Sequence, residues 1–162
     1  MSRRRAACRA ALAAGLLGAA AHAVAADALA YPEGAKVFQA SCAVCHGAAG
    51  AGIPALAPPL VSYPAHYASS AEGRRQLAMT VLNGLYGEIM VADKRFDFRM
   101  PAFATLDDAT LAAVLNFVVF HLAHAPADTK PLDAAEIQAE RSHPVDGAVV
   151  REHRKTVVPA GG

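Results

Sequence analysis

The chain has 162 residues, 15 basic and 14 acidic side chains, and a formal charge of +1. Arg3, Arg4, Arg5 and Arg9 crowd its start, so the remainder is acidic by about three charges and offers no basic patch for nucleic acid. The length allows one core, but tryptophan is absent and aromatic residues make up only 6%. A core of protein alone would be modest, and a buried apolar group would supply missing bulk.

In chain order, residues 1–26 read as a secretory signal. The arginines form a basic start, an Ala/Leu-rich run follows, and Ala23-Val24-Ala25 offers a small-x-small cleavage site before Ala26, with cleavage after Ala26 equally readable. The run is mostly alanine, is broken by His22, and barely reaches the ~20 residues of a membrane span. No stable span is expected after its removal. Pro32 suits a first helical position, and a helix is expected from there to about Ser41, with Gly34, Val37 and Phe38 on one face.

That helix runs into Cys42-Ala43-Val44-Cys45-His46, a C-x-x-C-H sequence. This is the attachment pattern of a c-type haem. Two thiols three residues apart fit one helical turn and can bond the two vinyl groups of one macrocycle. His46 is then placed beneath the iron as proximal ligand. A zinc site would need a second pair of ligands, and the third cysteine, Cys8, lies in the signal. A thioredoxin-like dithiol would need a βαβ context, and no strand pattern surrounds the motif.

Beyond it, Gly47 to Gly52 reads as loop, and Ile53 to Pro64, with four prolines, as extended or turned chain. Ser69-Ser70-Ala71-Glu72 is a capping-box sequence opening a second helix through about Asn83, stopped by Gly84. Leu85 to Ala104 is expected to be an ordered loop. Thr105-Leu106-Asp107-Asp108 resembles another helix start. Leu111, Val114, Leu115, Val118 and Leu122 then recur at helical spacing, giving a third helix over about 106–123. Ala134 to Arg141 suits a short helix, and the end from Ser142 is expected to be irregular.

A haem held by one histidine leaves its sixth position open. Met79, Met90, Met100 and the outlying histidines His66, His121, His124, His143 and His153 are the candidates. Met100 precedes Pro101, which pushes its backbone toward an extended form suited to a projecting loop. Met79 falls inside a predicted helix and suits core packing. Met90 stays in competition, and helix-end or surface positions suit the histidines. Tyr63, Tyr67, Arg95 and Arg99 are candidates for haem propionates. Lys94, Arg95 and Arg99 could equally rim the haem edge toward an acidic partner.

Taken together, Gly34-x-x-x-Phe38, the haem motif, Pro58-Pro59-Leu60, Asn83-Gly84-Leu85-Tyr86-Gly87, Met100-Pro101-Ala102-Phe103 and Val114-Leu115-Asn116-Phe117 resemble class I cytochrome c. The likeness is strongest to the bacterial branch that serves periplasmic dehydrogenases and oxidases, and it covers roughly residues 31–124. It implies an all-α fold of three main helices around one covalently bound haem c, with a haem domain over 27–125 and a C-terminal extension over 126–162. It implies thioethers at Cys42 and Cys45, axial ligands His46 and Met100, and a carbonyl of Pro58 or Pro59 bonded to the proximal imidazole. Gly34 and Phe38 would pack against Val114 and Phe117. The implied function is periplasmic one-electron transfer, non-enzymatic in itself, beside a redox partner: a donor dehydrogenase or an acceptor oxidase or reductase. The alternative is a haem peroxidase, an oxidoreductase for small sulfur or nitrogen compounds, or a gas-binding protein, each needing a labile distal ligand.

Overall fold

The computed structural model describes residues 31–158. The predicted signal lies outside the described residues. Among those described, no helix is long and apolar enough to cross a membrane.

Helix α1 (Pro32–Val37) carries its proline in the first turn, where a missing N–H costs nothing. It continues through a π-helical turn, Phe38–Cys42, into α2 (Ala43–His46). The helical path therefore passes the expected end at Ser41 and carries both cysteines. The following segment winds back through hydrogen bonds from Gly52 N–H to His46 O and from Leu60 N–H to Gly50 O.

Helix α3 (Tyr63–Ala68) stands where proline-rich extended chain was expected to end. Pro64 sits in its first turn, so it starts the helix instead of breaking it. Helix α4 (Ala71–Asn83) follows, capped by Ser70, whose Oγ accepts from Gly73 N–H. The expected box between Ser69 and Glu72 does not form. Ser69 Oγ instead donates to His66 O and closes α3, while Glu72 faces His153.

The expected loop after α4 contains a hairpin. β1 (Ile89–Val91) and β2 (Lys94–Phe96) are antiparallel, with Ile89 opposite Phe96 and Val91 opposite Lys94. Helix α5 (Asp108–Asn116) is capped by Asp107, which accepts from Thr110 N–H, and continues as a π-helical turn over Phe117–Leu122. This matches the predicted third helix within two residues at each end.

The extension adds α6 (Ala134–Arg141), opened by a reciprocal capping box between Asp133 and Glu136. It also adds α7 (Gly147–Val157), capped by Asp146, where irregular chain was expected. Helices α6 and α7 pack on α4, and α6 also on α5.

Three apolar clusters hold these elements together. Phe38, Val114 and Phe117 join α1 to α5, with the Phe38 and Phe117 rings 5.4 Å apart. The crossing is close because Gly34 has no side chain: a Cβ there would collide with the Ala113 carbonyl and with Phe117. Leu77, Ala78, Leu111, Leu115 and Val119 form the central cluster, which Leu132 and Ile137 of the extension close. Val150 of α7 seals a third with Met79 and Leu85.

Candidate functional site

An apolar cavity of about 260 Å³ opens between α2, the proline-rich segment, α4, the hairpin and α5. Cys42, Cys45, His46, Pro58, Pro59 and Met100 all line it. The sequence candidates for cofactor contact are thus brought to one space from positions up to 58 residues apart.

His46 is buried, and its Nδ1 lies 2.9 Å from Pro58 O. A carbonyl can only accept, so Nδ1 carries the proton and donates, leaving the Nε2 lone pair free. Burial pushes the His46 pKa down, and the Pro58 bond works against this. The ring is therefore favoured in its neutral, metal-binding form. Pro59 lines the cavity beside Pro58. Burial, and secondarily the neighbouring Cys45, push the Cys42 thiol up to about 11.

Met100 is held by its backbone. Its N–H donates to Leu85 O at 2.8 Å and its carbonyl accepts from Leu85 N–H at 3.1 Å. This bridge is possible because α4 ends at Gly84 with φ +72, and a Cβ there would strike the Met100 carbonyl. Met79 is buried against Val150. Met90 lies on β1, 43% exposed, and does not line the cavity.

The outlying histidines do not line it either. His121 stacks on Phe117, while His153 bonds Gln76 and Glu72. Among the described residues, no three His, Cys, Asp or Glu side chains come together as a metal cluster.

Of the candidates for propionates, Tyr63, Tyr67 and Arg99 line the cavity. Arg99 lies over the Tyr86 ring, 4.7 Å from its centroid, and Tyr86 donates to Asp146. Arg95 pairs instead with Glu88 and Asp97 at the surface. Among the lining residues that sequence reasoning did not single out, Arg154, from α7, carries a charge. It lies well outside residues 31–124, over which the sequence likeness extends, and its own helix was not expected. Only the aspartate preceding a helix-compatible run at 147–157 could have pointed there.

The donor set suits haem c: two thiols one turn apart, a neutral imidazole beside them, a thioether and an apolar lining. The cytochrome c family matches residues 31–120. The chain is 37% identical over 134 residues to a cytochrome c-552 of Thermus thermophilus, covering 79% of this chain and 87% of that protein. A second Thermus thermophilus cytochrome c-552 is 36% identical over 129 residues, 76% of this chain and 95% of that protein. The chain belongs to the cytochrome c family, with a class I all-α fold. It is a haem protein of electron transfer, its haem c covalently attached.

Proposed function

We propose that the protein is an exported, periplasmic monohaem electron carrier with His/Met ligation. Cys42 and Cys45 would hold the haem by thioethers, His46 and Met100 would be its iron ligands, and the Pro58 carbonyl orients His46. Residues 1–26 are removed as a signal, 27–125 form the haem domain and 126–162 its extension. The observation that carries this reading is that Met100, alone among the methionines at 79, 90 and 100, lines the cavity that His46 and both cysteines line.

When bound, haem c supplies an iron that takes up and releases one electron. The chain supplies the rest. The Pro58 carbonyl fixes the imidazole and raises its basicity by accepting its N–H. The Leu85–Met100 bridge fixes the depth at which the thioether enters. The apolar lining keeps water from the centre, which limits reorganisation as its charge changes. With His46 and Met100 both holding the iron, no position would be left for a substrate, so the protein would act as a carrier and not as an enzyme. Its partner is a redox protein, a donor dehydrogenase or an acceptor oxidase or reductase, of which it serves as electron-accepting subunit or partner. Attachment of haem c outside the cytoplasm agrees with the basic, alanine-rich start.

Visible spectroscopy of the oxidised holoprotein tests the reading. The methionine-to-ferric-iron charge-transfer band is expected in the wild type and in Met90→Leu, and is expected to vanish in Met100→Ala. A wild-type spectrum that is high-spin and five-coordinate, or rapid carbon monoxide binding to the reduced wild type, would overturn it in favour of a haem enzyme or gas-binding protein.

A further inference from the structure

Among the described residues Arg154 is the one buried arginine, 9% exposed, and it reaches the cavity from α7. A guanidinium has five N–H donors and cannot shed its charge. Here one donor is committed, from Nη2 to Met90 O at 3.0 Å. No carboxylate among the described residues lies within ion-pair distance of it. Burying a charge without a counter-charge is costly. The part-buried Arg74 and Arg141, which tie the extension to the rest of the molecule, each have a carboxylate.

A second observation points to the same spot. Tyr67 lines the cavity from α3 and its hydroxyl is buried with no hydrogen-bond partner. Buried hydroxyls are rarely left so. The Tyr67 pKa is raised by burial, and the Arg154 guanidinium beside it, through its charge and its N–H groups, works against that rise. The guanidinium can only donate, so the Tyr67 hydroxyl proton still has no acceptor. A cation with free donors and a hydroxyl without an acceptor together ask for one anionic, oxygen-bearing group in this cavity.

We propose that Arg154 and Tyr67 bind a carboxylate of the haem propionates, which makes the C-terminal extension part of the redox site and keeps the reduction potential high. The proposal rests on haem c filling this cavity. The propionate is the carboxylate that haem itself brings into the apolar lining, and a planar guanidinium fork matches a carboxylate. Neutralising that negative charge beside the iron disfavours the ferric state, which carries the extra positive charge, and so raises the potential. Without Arg154 the carboxylate stands uncompensated, the ferric state is favoured, and the potential falls.

The test uses the full-length holoprotein, isotopically labelled in the haem propionate carboxyls, with the visible spectrum confirming thioether-bound haem independently of the outcome. In the wild type, NMR titration is expected to show one carboxyl ionising well below the other. Arg154→Met is expected to move that ionisation upward, to lower the midpoint potential above it, and to make the potential depend on pH where the wild type is flat. Arg154→Lys is expected to lie between, since it keeps the charge without the fork.

Two carboxyls that titrate alike in the wild type would overturn the proposal, as would an Arg154→Met protein with unaltered titration and potential. A wild-type potential that follows added inorganic phosphate while neither carboxyl responds to Arg154→Lys would also overturn it, and would assign the guanidinium to a solvent anion. Should Arg154→Met fail to mature, the wild-type titration and the lysine variant decide.

Discussion

At the scale of single residues, the site depends on where chains can approach one another. Gly34 is the sharpest case, because the Ala113 carbonyl and the Phe117 Cβ occupy the space a side chain would need. One contact is rigid backbone in the middle of α5, so relief would require α1 to move off α5. Since α1 runs without a break into the haem motif, that displacement would also shift Cys42 and His46 relative to α5. Gly34→Ala is expected to destabilise the holoprotein by about 1–3 kcal/mol, the usual range for overpacking. Guanidinium denaturation followed at the Soret band would show it as a lower midpoint. An unchanged midpoint would mean that the crossing has slack the geometry does not show. The packing of Gly34 and Phe38 against α5 was legible through the resemblance to class I cytochrome c, which places both residues just before the haem motif. The proximal proline was narrowed only to Pro58 or Pro59, since two adjacent carbonyls look alike in sequence and only the three-dimensional path puts Pro58 O against Nδ1.

At the scale of elements, legibility follows how much of the signal is local. The π-extended α5 announced itself through Leu111, Val114, Leu115, Val118 and Leu122, all of which are buried. The hairpin did not, because its two turn residues, Ala92 and Asp93, both adopt positive φ, at 48° and 60°. Such turns usually carry Asn-Gly or Asp-Gly, and strands of three residues leave too little alternation to detect. Helix α7 was hidden for a different reason. The helix is amphipathic, but its buried residues are Gly147, Val150 and Arg154, so a glycine and an arginine stand where large apolar residues would have marked it.

Helix α6 is tied to α4 by charge as well as packing. Arg74 donates twice to Glu136 and also to the carbonyls of Lys130 and Pro131. The Arg74 bond, with help from the Asp133 amide, holds the Glu136 carboxyl below its ordinary value of 4.5, against the effect of burial. A carboxyl depressed in the folded state gives its stabilisation fully above the unfolded value and loses it as pH falls through the folded one. The wild type should therefore lose docking stability as pH drops below about 4.5, and Glu136→Gln should be weaker at neutral pH and flatter across the acid range. Urea midpoints measured from neutral to acid pH would show the two curves converging. Parallel curves would mean that the pair adds nothing.

At the scale of the whole molecule, the two sides of the cavity are secured differently. The proximal side is local in sequence: Cys42, Cys45, His46 and the turns back to Pro58 lie within 17 residues and bond among themselves. The side carrying Met100 is held from far along the chain. Arg141 donates to Ala104 O, Leu106 O and Asp108, clasping the segment that leads from Met100 into α5. Asn83 accepts from Val145 N–H at the end of α4, and Asn116 bonds both backbone groups of Leu132. Chain regions fixed by few long-range bonds open at lower free energy than the core. Removing the Arg141 head group takes away three bonds, each roughly 0.5–1.5 kcal/mol, mostly from the Met100 side. Arg141→Met keeps the aliphatic stem and is expected to lose the methionine charge-transfer band at a lower denaturant concentration than it loses helical circular dichroism. In the wild type the two losses should lie closer together. If both midpoints fall by the same amount in Arg141→Met, the clasp acts on global stability alone. A widened gap would show that the extension guards Met100, the proposed distal ligand, whose release would open the haem to small ligands.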